Sequence, residues 1–317
     1  MKTPSVVVDI DGRELKLSNL DKVLFARSGF TKGQVIDYYD RISPAMLPHL
    51  QARPLTLKRY PDGAGEEFFY EKQCPPHPEW IDTVCVPQQH RARRGTNVNF
   101  CVANSRAALL WVANLAALEM HVLLSRSEDL SRPTSMVFDL DPGAPAGLRE
   151  CAQVALAARA LLESIGLQSM IKTSGGKGLH LYVPLNAPAT FDQTKEFAHA
   201  IAGLLEQRDP LIVTNMRKSL RAGKVFIDWG QNEDFKTTIC AYSLRAVDPP
   251  RISMPLTWDE VSAIAAGEPA EAAIFSPAQA VERVSTLGDI FAPVQSLRQS
   301  LPDPLALTPA DETFSLR

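Results

Sequence analysis

The chain has 317 residues, a formal net charge of -3, and 45% hydrophobic and 22% charged side chains, which excludes disordered and fibrous classes and leaves an ordinary globular protein. No run approaches the roughly 20 uninterrupted apolar residues of a membrane span, and the first residues enter a strand-like run with no signal-peptide core, so the chain reads as cytoplasmic. Five cysteines, spread out and with no C-x-x-C pair, favour reduced thiols over a disulfide framework.

In chain order, residues 6–10 and 13–17 read as a hairpin about an Asp11-Gly12 turn. Thr31 is a good N-cap for a helix reaching towards His49, with Ile36, Tyr39 and Ile42 on its apolar side. Residues 54–60 and 66–72 read as strands joined by Pro61-Asp62-Gly63, followed by strands at 80–86 and 97–102. A helix is predicted over 105–118. Cys74, His77, Cys85 and His90 could in principle ligate zinc, but structural zinc shows tighter knuckles, and strand and loop packing is the favoured reading. Further on, strands at 135–140, 169–173, 179–184 and 224–229 alternate with helices at 148–165 and 191–206, the pattern of an α/β domain. Short helices and a Pro/Leu/Ala tail follow from Thr257.

The charge is unevenly spread. Residues 259–317 hold nine acidic and three basic side chains, so the preceding part is net positive, with basic clusters at 53–59, 91–94 and 217–224. Such clusters usually are solvated faces, but they also suit a localised nucleic-acid groove.

Met136-Val137-Phe138-Asp139-Leu140-Asp141-Pro142 is the strongest local signal. Residues i and i+2 of a strand share a face, so Asp139 and Asp141 present two carboxylates side by side. Hard oxygen ligands at that spacing suit Mg²⁺ or Mn²⁺; taken alone, a D-x-D more often caps a helix. Asp228 interrupts an apolar strand, Val225-Phe226-Ile227-Asp228-Trp229, and a buried carboxylate needs a cation or a hydrogen-bond partner. Three aspartates on adjacent strands could clamp two divalent ions. In Ser174-Gly175-Gly176-Lys177-Gly178-Leu179-His180, glycines free backbone N–H groups to face an anion, while Ser174 and Lys177 add a hydroxyl and a charge. On its own, His180 reads as a satisfied core histidine.

Taken in order, these blocks, with Asn19–Leu24, Arg53–Arg59, Phe68–Lys72 and Glu119-Met120-His121, resemble the polymerase domain of bacterial ligase D. That family belongs to the archaeo-eukaryotic primase superfamily and acts in non-homologous end joining. The resemblance implies a mixed-sheet α/β primase-polymerase domain over 1–300. An N-terminal half (about 1–130) would pack against an RRM-like catalytic half (131–260), followed by C-terminal helices (261–300) and a tail (301–317). It implies that Asp139, Asp141 and Asp228 are catalytic and hold two Mg²⁺ or Mn²⁺ ions. Lys58, His121, Ser174, Lys177, His180, Gln231 and Arg245 would surround an NTP or dNTP. Asn19, Lys22 and Lys32 match the family's pocket for a downstream 5′-phosphate. Phe68 and Phe69 match its template-stacking aromatics, although strand alternation allows one of them to be core. Arg221 belongs to a basic loop like those that contact primer and template.

The implied activity is template-directed nucleotide addition to a primer 3′-hydroxyl at breaks or short gaps, preferring ribonucleotides, by a DNA-bound, nucleoid-associated enzyme. No K-x-D-G adenylation motif occurs, so sealing would need a separate or fused ATP-dependent ligase, and end recruitment a Ku-like partner. Two other readings compete. One is a non-catalytic DNA-end-bridging protein, which the intact aspartate set disfavours. The other is a haloacid-dehalogenase-type phosphatase, where Thr or Val is expected at the position of Gly143.

Overall fold

The computed structural model describes residues 5–87 and 97–302; His90, the basic loop 91–94 and most of the predicted tail lie outside the described residues. Two six-stranded sheets form the frame. The first runs Thr237–Ile239, Ala117–Leu123, Leu55–Arg59, Asn97–Val102, Asp82–Pro87, with Phe69–Glu71 paired to Leu55–Arg59. The second runs Ile212–Val213, Val225–Asp228, Ser135–Pro142, Leu179–Pro184, Met170–Thr173, Pro255–Leu256. Its pairings are antiparallel except that between Ile212–Val213 and Val225–Asp228.

Period-two alternation places the chemistry. Met136, Phe138 and Leu140, with Leu179, Leu181, Val183, Val225 and Ile227, belong to a core shared with Leu148–Ser164 and Phe191–Arg208. Alanines 152, 155 and 158 and Phe197, Ala198, Ile201 and Ala202 supply the helical side of that core. Val137 and Tyr182 instead join the core of the N-terminal half. Asp139, Asp141, His180 and Asp228 therefore sit on the face turned away from the helices.

The N-terminal hairpin is Ser5–Ile10 and Arg13–Ser18. Thr31 caps Lys32–Leu50 in a full capping box with Gln34, and the helix tolerates Pro44 and Pro48. The helix predicted over 105–118 ends earlier, at Asn114. Ala116 takes a positive φ of 57°, and Ala117–Leu123 becomes a strand paired with Leu55–Arg59. Sheet pairing outweighs the helix propensity of these alanines and leucines.

The expectation of uniformly reduced thiols is corrected. Cys74 and Cys101 form a disulfide across a separation of 27 residues, because the amide of Cys74 donates to the carbonyl of Asn99 at 2.6 Å and brings the two side chains together. Cys74 is thus not a free zinc ligand; Cys85 is exposed on its strand, and Cys85, Cys151 and Cys240 are free thiols. Arg53 also departs from the reading of 53–59 as a nucleic-acid patch. It is buried, and its guanidinium donates to the carbonyls of Leu123 and Leu124 and to Thr134 Oγ1.

The segment from Thr237 to Leu256 joins the halves. It adds a strand to the edge of the first sheet through Ile239 opposite His121 and one to the second through Pro255 opposite Lys172. Arg245 and Ser253 lie between.

Candidate active site

In the second sheet, register draws four ionisable side chains into one lateral row. Asp228 is the direct cross-strand partner of Asp139, Asp139 of His180, and His180 of Lys172. Directly opposite residues hold their Cβ atoms about 4.5–5.5 Å apart. Asp141 adds a third carboxylate on the same face, opposite Phe226.

The electrostatics follow from burial and crowding. Burial, then the charges of Asp139 and Asp228, push the Asp141 carboxyl up to about 6. Burial chiefly raises Asp228 as well. Asp139 resists burial and is held below its ordinary value by His180, Lys172 and Arg245. Asp228 receives the Gly230 amide at 3.0 Å and the Gln231 amide at 3.4 Å. Asp139 Oδ1 is buried without a hydrogen-bond donor; His180 Nε2 lies 3.3 Å away but is misaligned for a hydrogen bond. An orphaned buried carboxylate oxygen beside two further carboxylates is the donor chemistry a hard divalent cation takes, although among the described residues the three do not converge into a closed ligand set.

Ser174–Gly178 turns above this row. Its amides are used otherwise than the glycines suggested: the N–H groups of Gly176 and Gly178 both donate to Ser174 Oγ, at 3.1 and 3.2 Å. With its lone pairs engaged, the serine hydroxyl keeps its hydrogen for an anion. Lys177 is exposed at the turn. The glycines permit close approach: a Cβ on Gly178 would lie 2.0 Å from the Leu140 carbonyl oxygen. One on Gly175, whose φ is +70°, would lie 2.4 Å from Arg245 Cγ.

A second lateral row crosses the first sheet: Tyr70, Lys58 and Glu119 are successive cross-strand partners. Glu119 is buried and gathers three of the residues implied to bind nucleotide, with His121 Nε2 at 3.0 Å, Arg245 Nη1 at 3.2 Å and Lys58 Nζ at 3.7 Å. Burial opposes ionisation, yet His121, Arg245 and Lys58 draw its carboxyl down to about 2. Burial lowers both Lys58 and His121. The Lys58 ammonium lies 4.0 Å from the ring centroid of Phe68 and 5.2 and 5.7 Å from those of Tyr60 and Tyr70.

Both Phe68 and Phe69 are exposed, 47% and 44%, so neither is core. Asn19, Lys22 and Lys32 come together through the Lys22 amide on the Asn19 carbonyl and the Lys32 amide on that of Lys22. Lys32 Nζ donates to the Ser18 carbonyl at 2.7 Å, and Lys22 pairs with Asp62 at 2.8 Å. Burial, then Arg59 and Lys22, lower Lys32 to about 8. Arg221 stacks on Phe226, 3.5 Å from its ring centroid, at the rim of the carboxylate site.

Sequence reasoning passed over Glu119 and Lys172 as site residues. The available signal was the one that marked Asp228, a charged residue within an apolar strand.

A carboxylate row on the face of interior strands, a serine–glycine turn above it and a cluster of cationic side chains opposite define a nucleotidyltransferase-type enzyme. The family model described as LigD, primase-polymerase domain, matches residues 31–291, and the chain belongs to that family. It is 41% identical over 286 residues to the multifunctional non-homologous end joining protein LigD of Mycolicibacterium smegmatis, covering 89% of this chain and 36% of that protein. It is 33% identical to the bifunctional LigD of Bacillus subtilis over 251 residues, 78% of this chain and 39% of that one. The chain thus spans little more than a third of these relatives' length. The polymerase domain from Mycobacterium tuberculosis ligase D, solved in complex with DNA, matches with a TM-score of 0.81 and 38% identity, over 90% of this chain and 99% of that chain. Among the described residues no helix is long and apolar enough to cross a membrane.

Proposed function

We propose that this chain extends a primer 3′-hydroxyl by template-directed nucleotide addition at DNA breaks and short gaps bearing a downstream 5′-phosphate. The observation that carries the reading is the pairing of Asp139 with Asp228, with Asp141 alongside, beneath the Ser174–Gly178 turn. These carboxylates would hold Mg²⁺ or Mn²⁺, and bound divalent ions would neutralise charge at the attacking oxygen and the leaving pyrophosphate. The remaining work is positioning and charge neutralisation, which is what phosphoryl transfer requires of a protein.

Ser174, Lys177 and His180 line the side of the row where a triphosphate would lie. Lys58 and His121 from the first sheet and Arg245 from the segment between the sheets, oriented by Glu119, approach from the other side, and Gln231 borders Asp228. Asn19, Lys22 and Lys32 form a cationic pocket for a 5′-phosphate that needs no base identity. Phe68 and Phe69 offer open rings for base stacking. Family membership supports preference for ribonucleotides, residence on the nucleoid, and cooperation with a Ku-like end binder and an ATP-dependent ligase.

Primer extension on a gapped, 5′-phosphorylated duplex with Mn²⁺ tests the reading. Wild-type protein incorporates nucleotides, and Asp139→Ala abolishes incorporation while retaining DNA binding. Equal incorporation by both proteins would remove the carboxylates from the mechanism.

A further inference from the structure

Lys172 is completely buried, at the end of the row that begins with Asp228. Burial lowers the Lys172 ammonium to about 7; below that pH it has three hydrogens to donate and no lone pair, and three acceptors surround it. Ser253 Oγ lies at 2.6 Å, His180 Nδ1 at 3.1 Å and the Thr173 carbonyl at 3.5 Å. Ser253 passes its own hydrogen to the Thr173 carbonyl at 2.8 Å, so its oxygen can only accept from the lysine. The imidazole of His180 is buried, and its Nδ1, 3.1 Å from an ammonium that can only donate, has room for a lone pair and none for a second hydrogen. A neutral imidazole carries one hydrogen, and the partner of one nitrogen decides which nitrogen bears it.

We propose that Lys172 is a positioning residue: by donating to Nδ1 of His180 it confines the imidazole to the tautomer whose Nε2–H points along the carboxylate row. Nε2 lies 3.3 Å from Asp139 Oδ1 in a poorly aligned contact, so its hydrogen is available to an incoming triphosphate oxygen at little cost. The opposite tautomer would present a lone pair to Asp139 and to the phosphate, where acceptor meets acceptor. The second half of this inference rests on the proposed function; the tautomer itself does not.

The experiment is a spectrum of protein labelled with ¹⁵N in the histidine imidazoles, recorded just below neutral pH, with His180→Gln identifying the resonance. Wild-type His180 shows the Nε2–H pattern, and Lys172→Met loses that preference. In nucleotide titrations and primer extension, Lys172→Met raises the nucleotide KM by about tenfold, the scale of one hydrogen bond to a charged group, with DNA affinity unchanged. Ser253→Ala disturbs the same pocket but keeps the donor, and it retains both the tautomer and a KM within about twofold of wild type. An Nδ1–H pattern in the wild type overturns the inference even if Lys172→Met does not fold. An equal rise in KM for Ser253→Ala also overturns it, since the role would then be structural. Absence of nucleotide binding by wild-type protein would instead strike the proposed function, leaving the tautomer measurement to stand or fall alone.

Discussion

Arg245 Nη1 lies 3.2 Å from Glu119 Oε2, while the stem of the same arginine passes so close to Gly175 that a methyl group there would collide with it. One side chain thus touches a buried carboxylate of the first sheet and the serine–glycine turn above the second. The cations implied to bind nucleotide are held in place by a residue that has no direct part in the chemistry.

Glu119→Gln leaves the Lys58 and Arg245 cations and the His121 imidazole facing a neutral amide. Removing one member of a buried ionic cluster costs about 3 kcal/mol, so urea unfolding should show a loss of that order and the nucleotide KM should rise at least severalfold. The pH dependence has a definite sign. The folded carboxyl sits at about 2 against an ordinary 4.5, so its contribution is present above the ordinary value and lost as pH falls towards about 2. The stability gap between wild type and variant should be level near neutrality and close in acid; a gap that widened there would contradict the assignment.

Gly178 has a steric role rather than an entropic one. A Cβ would lie 2.0 Å from the Leu140 carbonyl oxygen, and backbone in the middle of a sheet cannot give way. Gly178→Ala should displace the strand carrying His180 from that carrying Asp139, cost about 2–3 kcal/mol and depress incorporation sharply. Gly203, in Phe191–Arg208 with open space around it, is the control. There alanine should be neutral or stabilise by about 0.5–1 kcal/mol, measured by thermal unfolding.

Lys32 should make the proposed 5′-phosphate pocket sensitive to alkaline pH. Its ammonium is charged below about 8 and is lost above it. Preference for 5′-phosphorylated over 5′-hydroxyl gaps should therefore fall severalfold between about pH 7 and about pH 9, although a bound dianion will hold the proton to somewhat higher pH. Lys32→Gln should show a small preference that does not change over this range. A steep fall in the variant would place the titrating group elsewhere.

The two exposed phenylalanines should separate. Either Phe→Ala should weaken template binding by about 1–3 kcal/mol and leave stability within about 0.5 kcal/mol. Only Phe68 covers the Lys58 ammonium, whereas Phe69 rests on Arg59 at 5.2 Å. Fluorescence anisotropy with gapped DNA should report both losses, and nucleotide KM should move only for Phe68→Ala.

Local rules made a good part of the molecule legible in the chain alone. Alternation along Ser135–Pro142 put Asp139 and Asp141 on one face, Thr31 with Gln34 announced the helix start, and Asp11-Gly12 the first hairpin. These features depend on neighbours two to four residues away, whose relation the backbone geometry dictates. Register, burial and crosslinking depend on residues far apart in the chain. Asp228 faces Asp139 because two strands 89 positions apart pair in one register rather than the next, and a one-residue slip would turn that carboxylate to the opposite face. Lys172 finds Ser253 and Arg245 finds Glu119 only because the segment from Thr237 to Leu256 adds a strand to each sheet. Cys74 meets Cys101, and Arg53 disappears into carbonyl oxygens, likewise through partners distant in the chain. Sequence set the local directions of the side chains; tertiary pairing chose their partners, because contact free energy between distant strands is not encoded in any short stretch of either.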